Sequence, residues 1–259
     1  MHKMSDSPRR ARASPGSERS CANEGRRNLL LTSGVGAVLA ASTGAAIGRD
    51  QARSRSRIFS SADQAQLDRA AVADLVIRER AARDNGMWAE MAACYHPNSV
   101  IEVSWFKGDG ATFVEQTKKN FSAGRLSLHH MSPAVVTIKH SHALAETACQ
   151  LTAFVELDKA PVCIINHARL LWRAQLLGDQ WLIAGLRIIY IRDLLVPVSL
   201  SNAPKIDEAE AARYRLSYRY LSYFFARSEH PAKDDLPGVD RPESVAALRE
   251  REKKWLDEA

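Results

Sequence analysis

Four long strand-like runs fill positions 126–192, and only a few residues connect each to the next. They cover 126–139, 143–157, 162–176 and 181–192. The connectors are His140-Ser141-His142, Asp158-Lys159-Ala160-Pro161 and Leu177-Gly178-Asp179. Connections this short leave no room for a crossover helix, so consecutive strands must be antiparallel neighbours. Ser132-Pro133 falls inside the first run, and a proline without an N–H predicts a bulge or bend there. Long strands with such a bend make a strongly curved sheet, whose hollow face other parts of the chain must fill.

The segment before the sheet supplies that filling. Ser60 or Ser61 caps a helix that has Asp63 in its first turn. Leu67, Ala71, Leu75 and Arg78 recur at helical spacing, as do Val72, Val76 and Glu79, and they carry the helix to about Arg83. Asp84-Asn85-Gly86 stops it, with Gly86 suited to a positive φ. A short helix through Trp88, Met91, Ala92 and Tyr95 closes at His96-Pro97. A strand over 99–106, a turn at Lys107-Gly108-Asp109-Gly110 and a helix over 111–123 follow. This order predicts an α+β fold, a curved antiparallel sheet wrapped around N-terminal helices with a pocket between the layers.

After position 195 the character changes. Pro197, Pro204, Pro231, Pro237 and Pro242 punctuate the tail, with helices predicted over 207–226 and 242–256. Tyr214, Tyr218, Leu221 and Phe225 form a stripe on the first of these. Such a stripe reads as packing on the sheet or on a partner subunit rather than as a ligand box. The expected organisation is a leader over 1–48, a linker over 49–59, a main domain over 60–195 and a helical extension over 196–259.

The sequence pI of about 9.2 points to nucleic acid only until the charge is mapped. Residues 1–57 hold 11 of the 36 Lys and Arg and 4 of the 30 Asp and Glu, a net of +7, which leaves the rest at −1. Nucleic-acid binding needs a basic face on the folded body, so no nucleic-acid partner is expected. In the leader, Arg26-Arg27 precedes an uncharged stretch over 28–48 rich in Ala, Gly, Val and Leu. A basic start, a weakly apolar middle and small residues near a cleavage point describe a secretory signal, and the paired arginines resemble a twin-arginine export signal. A permanent span wants about 20 strongly apolar residues. A periplasmic or secreted protein with no stable membrane insertion after signal removal is therefore expected. An uncleaved membrane anchor and a disordered basic tail are the alternatives. Nicotinamide and coenzyme A are scarce outside the cytoplasm, and the body has neither GxGxxG nor a phosphate loop, so no cofactor is expected. Cys94, Cys149 and Cys163 sit in apolar contexts without a CxxC and read as buried free thiols.

Two residues suggest chemistry. Asp84 ends the first long helix, where the macrodipole disfavours a carboxylate, so its placement needs a reason. That reason is either a functional site or a turn residue capping Gly86. His129 follows 45 residues later at the start of a strand, as a proton-transfer group or as a structural residue. As a pair, His129 would move the proton while Asp84 fixes its tautomer and raises its basicity. On the run over 162–176, His167, Arg169, Leu171 and Arg173 share one face, and Asn166, Ala168, Leu170 and Trp172 the other. If the first face looks into the pocket, His167 and Arg169 bind an oxygen-rich or anionic substrate; the alternative is a solvated convex face. Glu79 is expected to point inward. His140-x-His142 has no third ligand nearby in sequence, so no metal site is expected.

Several motifs carry a family resemblance over roughly 62–195: Asp84-Asn85-Gly86-Met87-Trp88, Cys94-Tyr95-His96-Pro97-Asn98, Val103-Ser104-Trp105-Phe106, Ser127-Leu128-His129, Gly178-Asp179-Gln180-Trp181 and Ile183-Ala184-Gly185-Leu186-Arg187. The chain resembles the SnoaL-like branch of the nuclear transport factor 2-like superfamily. That resemblance implies a cone-shaped α+β barrel, usually dimeric, which hosts dehydratases, isomerases, cyclases and plain binding modules. The spacing looks most like the scytalone dehydratase and bile-acid dehydratase type, which implies Asp84 and His129 as the catalytic pair. Glu79, Trp105, His167 and Arg169 are then the substrate-binding candidates. Those dehydratases carry tyrosines near the catalytic Asp, where this chain has Glu79 and Arg83, and Val103 replaces another pocket tyrosine. Two readings follow. One is a cofactor-independent lyase or isomerase acting on a small cyclic or hydroxylated molecule; the other is a non-catalytic module holding a small ligand or a protein partner. A homodimer is expected in either case.

Overall fold

The computed structural model describes residues 61–227 and 233–259, which belong to one compact unit spanning Ser56–Ala259. The predicted leader and linker lie outside the described residues, and the export reading with them. Among the described residues no helix is long and apolar enough to cross a membrane.

Helix α1 (Ser61–Asp84) buries Val72, Leu75, Val76, Glu79, Arg80 and Ala82. These recur at helical spacing and make one inward face, yet two of the six are charged. Gly86 takes φ +70° and ends the helix, with the Met87 N–H donating back to Ala82 O at 2.8 Å. Helix α2 (Trp88–Ala93) follows, then a hairpin of β1 (Tyr95–Val103) and β2 (Phe106–Gly108). Helix α3 (Gly110–Ser122) is capped by Asp109, which accepts from the Thr112 N–H at 2.8 Å.

The predicted run over 126–139 is two strands, β3 (Leu126–Met131) and β4 (Val135–Lys139). They break at Ser132-Pro133, where the proline placed a bend. Both pair with β5 (His142–Leu157), and Ser132 bridges the break by accepting from the Ala148 N–H at 2.9 Å. Strands β6 (Ala160–Leu177) and β7 (Gln180–Pro197) complete the sheet, whose order is β2-β1-β7-β6-β5-β3 with β4 also on β5. Among these strands only the β1–β7 pairing is parallel. Strand β7 outruns its predicted end at 192, because β6 continues to pair with it as far as Val162 against Pro197.

The sheet has two differently covered faces. Leu170, Trp172 and Ala174 of β6 pack with Val72, Leu75 and Val76 of α1 in the main core. On the other face, Leu171 and Ile189 pack against Leu248 of α6 (Pro242–Asp257). Arg173 of β6 also reaches α6, bonding Glu252 at 2.5 Å. The predicted helix over 207–226 is a correction. It divides into α4 (Glu208–Ala211), a 3-10 turn (Leu216–Tyr218) and α5 (Arg219–Phe225). Arg215 is the cause: its guanidinium bonds Asp240 at 2.6 Å, Leu236 O at 2.7 Å and Tyr218 Oη at 2.9 Å, and Ser217 Oγ donates to Asp240 at 2.8 Å. These bonds draw 215–217 off a straight helical path, and the aromatic stripe splits. Tyr218 packs with Ile164 and Tyr190, and Tyr223 with Leu157 and Val162. The tail thus packs on the sheet.

Asp193 of β7 ties the tail down by accepting from the Leu221 N–H at 2.7 Å. Burial pushes its carboxyl up, with backbone N–H groups of α5 opposing that shift. Asp193→Ala strands the buried Leu221 donor and is expected to lower stability by about 1–3 kcal/mol in denaturant unfolding. Asp193→Asn keeps the acceptor and is expected to lose much less.

Candidate active site

The last turns of α1 place Glu79, Arg80, Arg83 and Asp84 on the side that faces the sheet. Positions 80 and 84 are four apart, and 79 and 83 likewise, so each pair is stacked along the helix. Glu79 is fully buried and Arg80 nearly so. The Glu79 carboxylate takes both Arg80 Nε and Arg80 Nη2, the latter at 2.7 Å, and accepts from Tyr95 Oη at 2.6 Å. The Arg80 guanidinium lies over the Trp172 ring at 5.1 Å and the Phe113 ring at 6.0 Å. Burial works against the Arg80 charge, but Glu79 holds it well above its ordinary pKa. Burial and Glu79 together push the Tyr95 hydroxyl far up.

Asp84 joins the end of α1 to the start of β3. Its Oδ2 accepts from the His129 backbone N–H at 2.7 Å, and its Oδ1 lies 2.8 Å from His129 Nδ1. Strand β3 ends the sheet path, so the carboxylate gives an edge N–H the partner that a further strand would otherwise supply. A carboxylate with a depressed pKa only accepts, so Nδ1 carries the imidazole proton and Nε2 the lone pair. Burial pushes the Asp84 carboxyl up, yet its bond to His129 and the neighbouring Arg83 charge outweigh burial and hold it below the usual range. Arg83 Nη1 donates to Asp84 Oδ1 at 3.0 Å and to Ser127 Oγ at 2.9 Å. Arg80 Nη1 approaches His129 Nε2 at 3.5 Å.

His129 is therefore a neutral base. Burial first, then the Arg83 charge, pull its pKa down to about 3, against the opposing bond to Asp84. Its side chain is 6% exposed and that of Asp84 12%. An imidazole with one nitrogen fixed by a carboxylate and the other carrying a lone pair can take a proton from a bound molecule and return it elsewhere.

Residues 64–187 match the SnoaL-like domain family. This stretch is a SnoaL-like domain. It runs from α1 into β7 and contains both Asp84 and His129. Pea pathogenicity protein 2 of Fusarium vanettenii is 22% identical over 209 residues, covering 75% of this chain and 88% of that protein. An uncharacterized protein of Emericella nidulans is 24% identical over 169 residues, covering 62% of this chain and 71% of its own length. Among solved structures, a hexachlorocyclohexane dehydrochlorinase of Novosphingobium barchaimii superposes with a TM-score of 0.45 at 13% identity, over 55% of this chain and 97% of its own. A scytalone dehydratase-like protein of Novosphingobium aromaticivorans gives 0.44 at 13% identity, over 56% and 97%.

The SnoaL-like domain brings together Asp84, His129 and Glu79 but not the other candidates. Trp105 is half-buried and stacks on Phe113 with centroids 5.4 Å apart, and Arg80 lies over that same Phe113 ring. His167 and Arg169 are a correction. Strand β6 runs in unbroken register with β5, and its face toward α1 belongs to Leu170, Trp172 and Ala174, which leaves His167 and Arg169 on the α6 face. Arg169 pairs there with Glu146 at 3.4 Å and is 51% exposed. The opposite choice of face would have found Asn166, buried and in line with His129 through Leu151. Asn166 Nδ2 and Asp193 Oδ1, on paired residues of β6 and β7, both lack a partner. Arg80 was also missed, although it stands one helical turn before Asp84. Among the described residues no group of three or more His, Cys, Asp or Glu could hold a metal, and His142 stacks on Trp255 at 4.1 Å.

The depressed imidazole pKa sets a pH dependence. The unfolded chain protonates His129 below about 6.5, whereas the folded state keeps it neutral down to about 3. Between those values the unfolded state binds the extra proton, so stability falls as the pH falls. Thermal unfolding of His129→Gln across this range is expected to show a shallower decline than the wild type.

Proposed function

We propose that the SnoaL-like domain is a cofactor-independent lyase of the dehydratase type, or an isomerase, acting on a small cyclic or hydroxylated molecule. The observation that carries this reading is the 2.8 Å contact between Asp84 Oδ1 and His129 Nδ1, which leaves Nε2 as a base of fixed orientation. Nε2 takes a proton from a substrate C–H, and the electron pair stays on the substrate. In a dehydration that pair forms a double bond as a neighbouring hydroxyl leaves, and the proton held on Nε2 departs with it as water. In an isomerisation the same proton returns to a different substrate atom. Asp84 stabilises the imidazolium formed in between, and Arg80 and Arg83 face the negative charge that develops on the substrate. No step needs a redox partner.

One observation favours the second reading, a non-catalytic ligand-binding or protein-interaction module. Arg80 Nη1 approaches the Nε2 lone pair at 3.5 Å, and Glu79 pins Arg80 in place. An imidazole satisfied on both nitrogens is what a structural histidine looks like.

Turnover separates the two. His129→Ala and Asp84→Asn, assayed on a panel of hydroxylated cyclic ketones, are expected to lose about 10²–10⁴-fold in kcat while keeping a cooperative melt. Unchanged turnover in a folded His129→Ala contradicts acid–base catalysis by this pair, and a wild type that turns over no member of the panel supports the binding module.

We further propose a homodimer, joined through the sheet face that carries α6 but beyond the reach of that helix. Leu126, Leu128, Phe154, Leu194 and Val196 are each 42–47% exposed there, on neighbouring strands. A contiguous apolar strip of this kind marks an interaction surface. Sedimentation of Phe154→Glu is expected to show a folded monomer where the wild type shows a dimer. Twin-arginine export of the chain is likewise our proposal, resting on Arg26-Arg27 and the uncharged stretch after them.

A further inference from the structure

Arg80 and Arg83 sit on adjoining turns of α1 and are used differently. The flat Nε/Nη2 edge of Arg80 is filled by the Glu79 carboxylate. The same edge of Arg83 has no acceptor among the described residues. All the side-chain contacts of Arg83 come from Nη1, to Asp84 and Ser127, with His129 Nδ1 3.4 Å away. Its Nε is shut off from solvent without an acceptor, and Nη2 makes no hydrogen bond among the described residues. This two-donor edge is the part of a guanidinium that matches a carboxylate bidentately. Buried donors are nearly always paired; Arg187 Nε and Arg219 Nε share this deficit, but Arg83 alone of the three stands against the acid–base pair, 3.0 Å from Asp84 and 3.4 Å from His129.

The charge inventory points the same way. Glu79, Arg80, Arg83 and Asp84 face His129 from α1 and cancel as two pairs. Tyr95 from β1 and Cys149 from β5 stand beside them, and burial, the leading cause for each, pushes both groups up and keeps them neutral. A proton on His129 thus leaves a surplus positive charge with nothing on the protein to answer it. One added negative charge at Arg83 would balance it.

We propose that the site takes a small molecule carrying a carboxylate, that this group docks on the Nε/Nη2 edge of Arg83, and that docking converts His129 from a suppressed base into a working one. The proposal rests on the acid–base reading above and names its substrate class. Arg83 is the nearest charge opposing protonation of His129, with Nη1 3.4 Å from Nδ1. A carboxylate on its far edge offsets that charge at the moment a substrate is present. The protein alone would then be a poor base, and the molecule it acts on would switch it on.

The test uses full-length protein with isotope-labelled histidine, the His129 signal being assigned by its loss in His129→Gln. The ratio of protonated to neutral His129 is read at pH 5.5 with acetate or benzoate, and with the neutral isosteres acetamide and benzamide. The expected result is a rise of tenfold or more with at least one carboxylate and none with the amides. Arg83→Met is expected to raise the ratio without any ligand and to abolish the response. No rise with either carboxylate, or an equal rise with the amides, overturns the proposal in wild-type protein, whatever the variant does. The outcomes separate from the parent reading. A carboxylate response together with normal turnover in His129→Ala sinks acid–base catalysis and keeps the anion site. Lost turnover without a carboxylate response sinks the anion site alone.

Discussion

The Asp84 carboxylate is the fastening on which the site depends. It ends α1, it supplies the acceptor for an edge N–H of β3, and it holds the imidazole of the same residue, His129. One side chain thereby fixes the helix against the sheet and sets the tautomer of the base. With the helix end located, the positions of Glu79, Arg80 and Arg83 follow, because each lies within a turn and a half of Asp84 on the same rod.

That fastening carries an electrostatic cost. Two guanidiniums and two carboxylates are withdrawn from water around a histidine that must then stay neutral. Buried ion pairs contribute little to net stability compared with apolar residues of similar size, so a chain selected for stability alone has no need of them at this place. Aromatic rings beneath Arg80 and the Tyr95 bond to Glu79 satisfy most of the surrounding polar atoms. The Nε of Arg83, with Asn166 Nδ2 and Asp193 Oδ1 further along the sheet, remains outside that satisfaction.

Much of this was legible in the sequence, for definable reasons. The strand runs and their short connectors fixed the antiparallel meander, and Pro133 marked the division between β3 and β4. The positive φ of Gly86 followed from its place after the last helical repeat. Spacing also drew attention to Asp84 and His129, because a carboxylate at a helix C-terminus demands an explanation. The face of β6 was not legible. Both faces carry apolar residues, and only the docking of α6, which brings Glu252 to Arg173, shows that His167 and Arg169 look away from α1. The tail helix was overextended because Arg215 bends the chain through Asp240, a partner 25 residues away that no local pattern reveals. Arg80 escaped notice because a charged residue beside another charged residue reads as solvated until tertiary packing buries both.

His129 is held as a neutral base with its proton on Nδ1. The most direct measurement is the pair of 15N chemical shifts of its imidazole at pH 7. A protonated Nδ1 and an unprotonated Nε2 are expected, with no titration near 6.5. A proton on Nε2, or an imidazole that becomes charged as the pH passes 6.5, would contradict it.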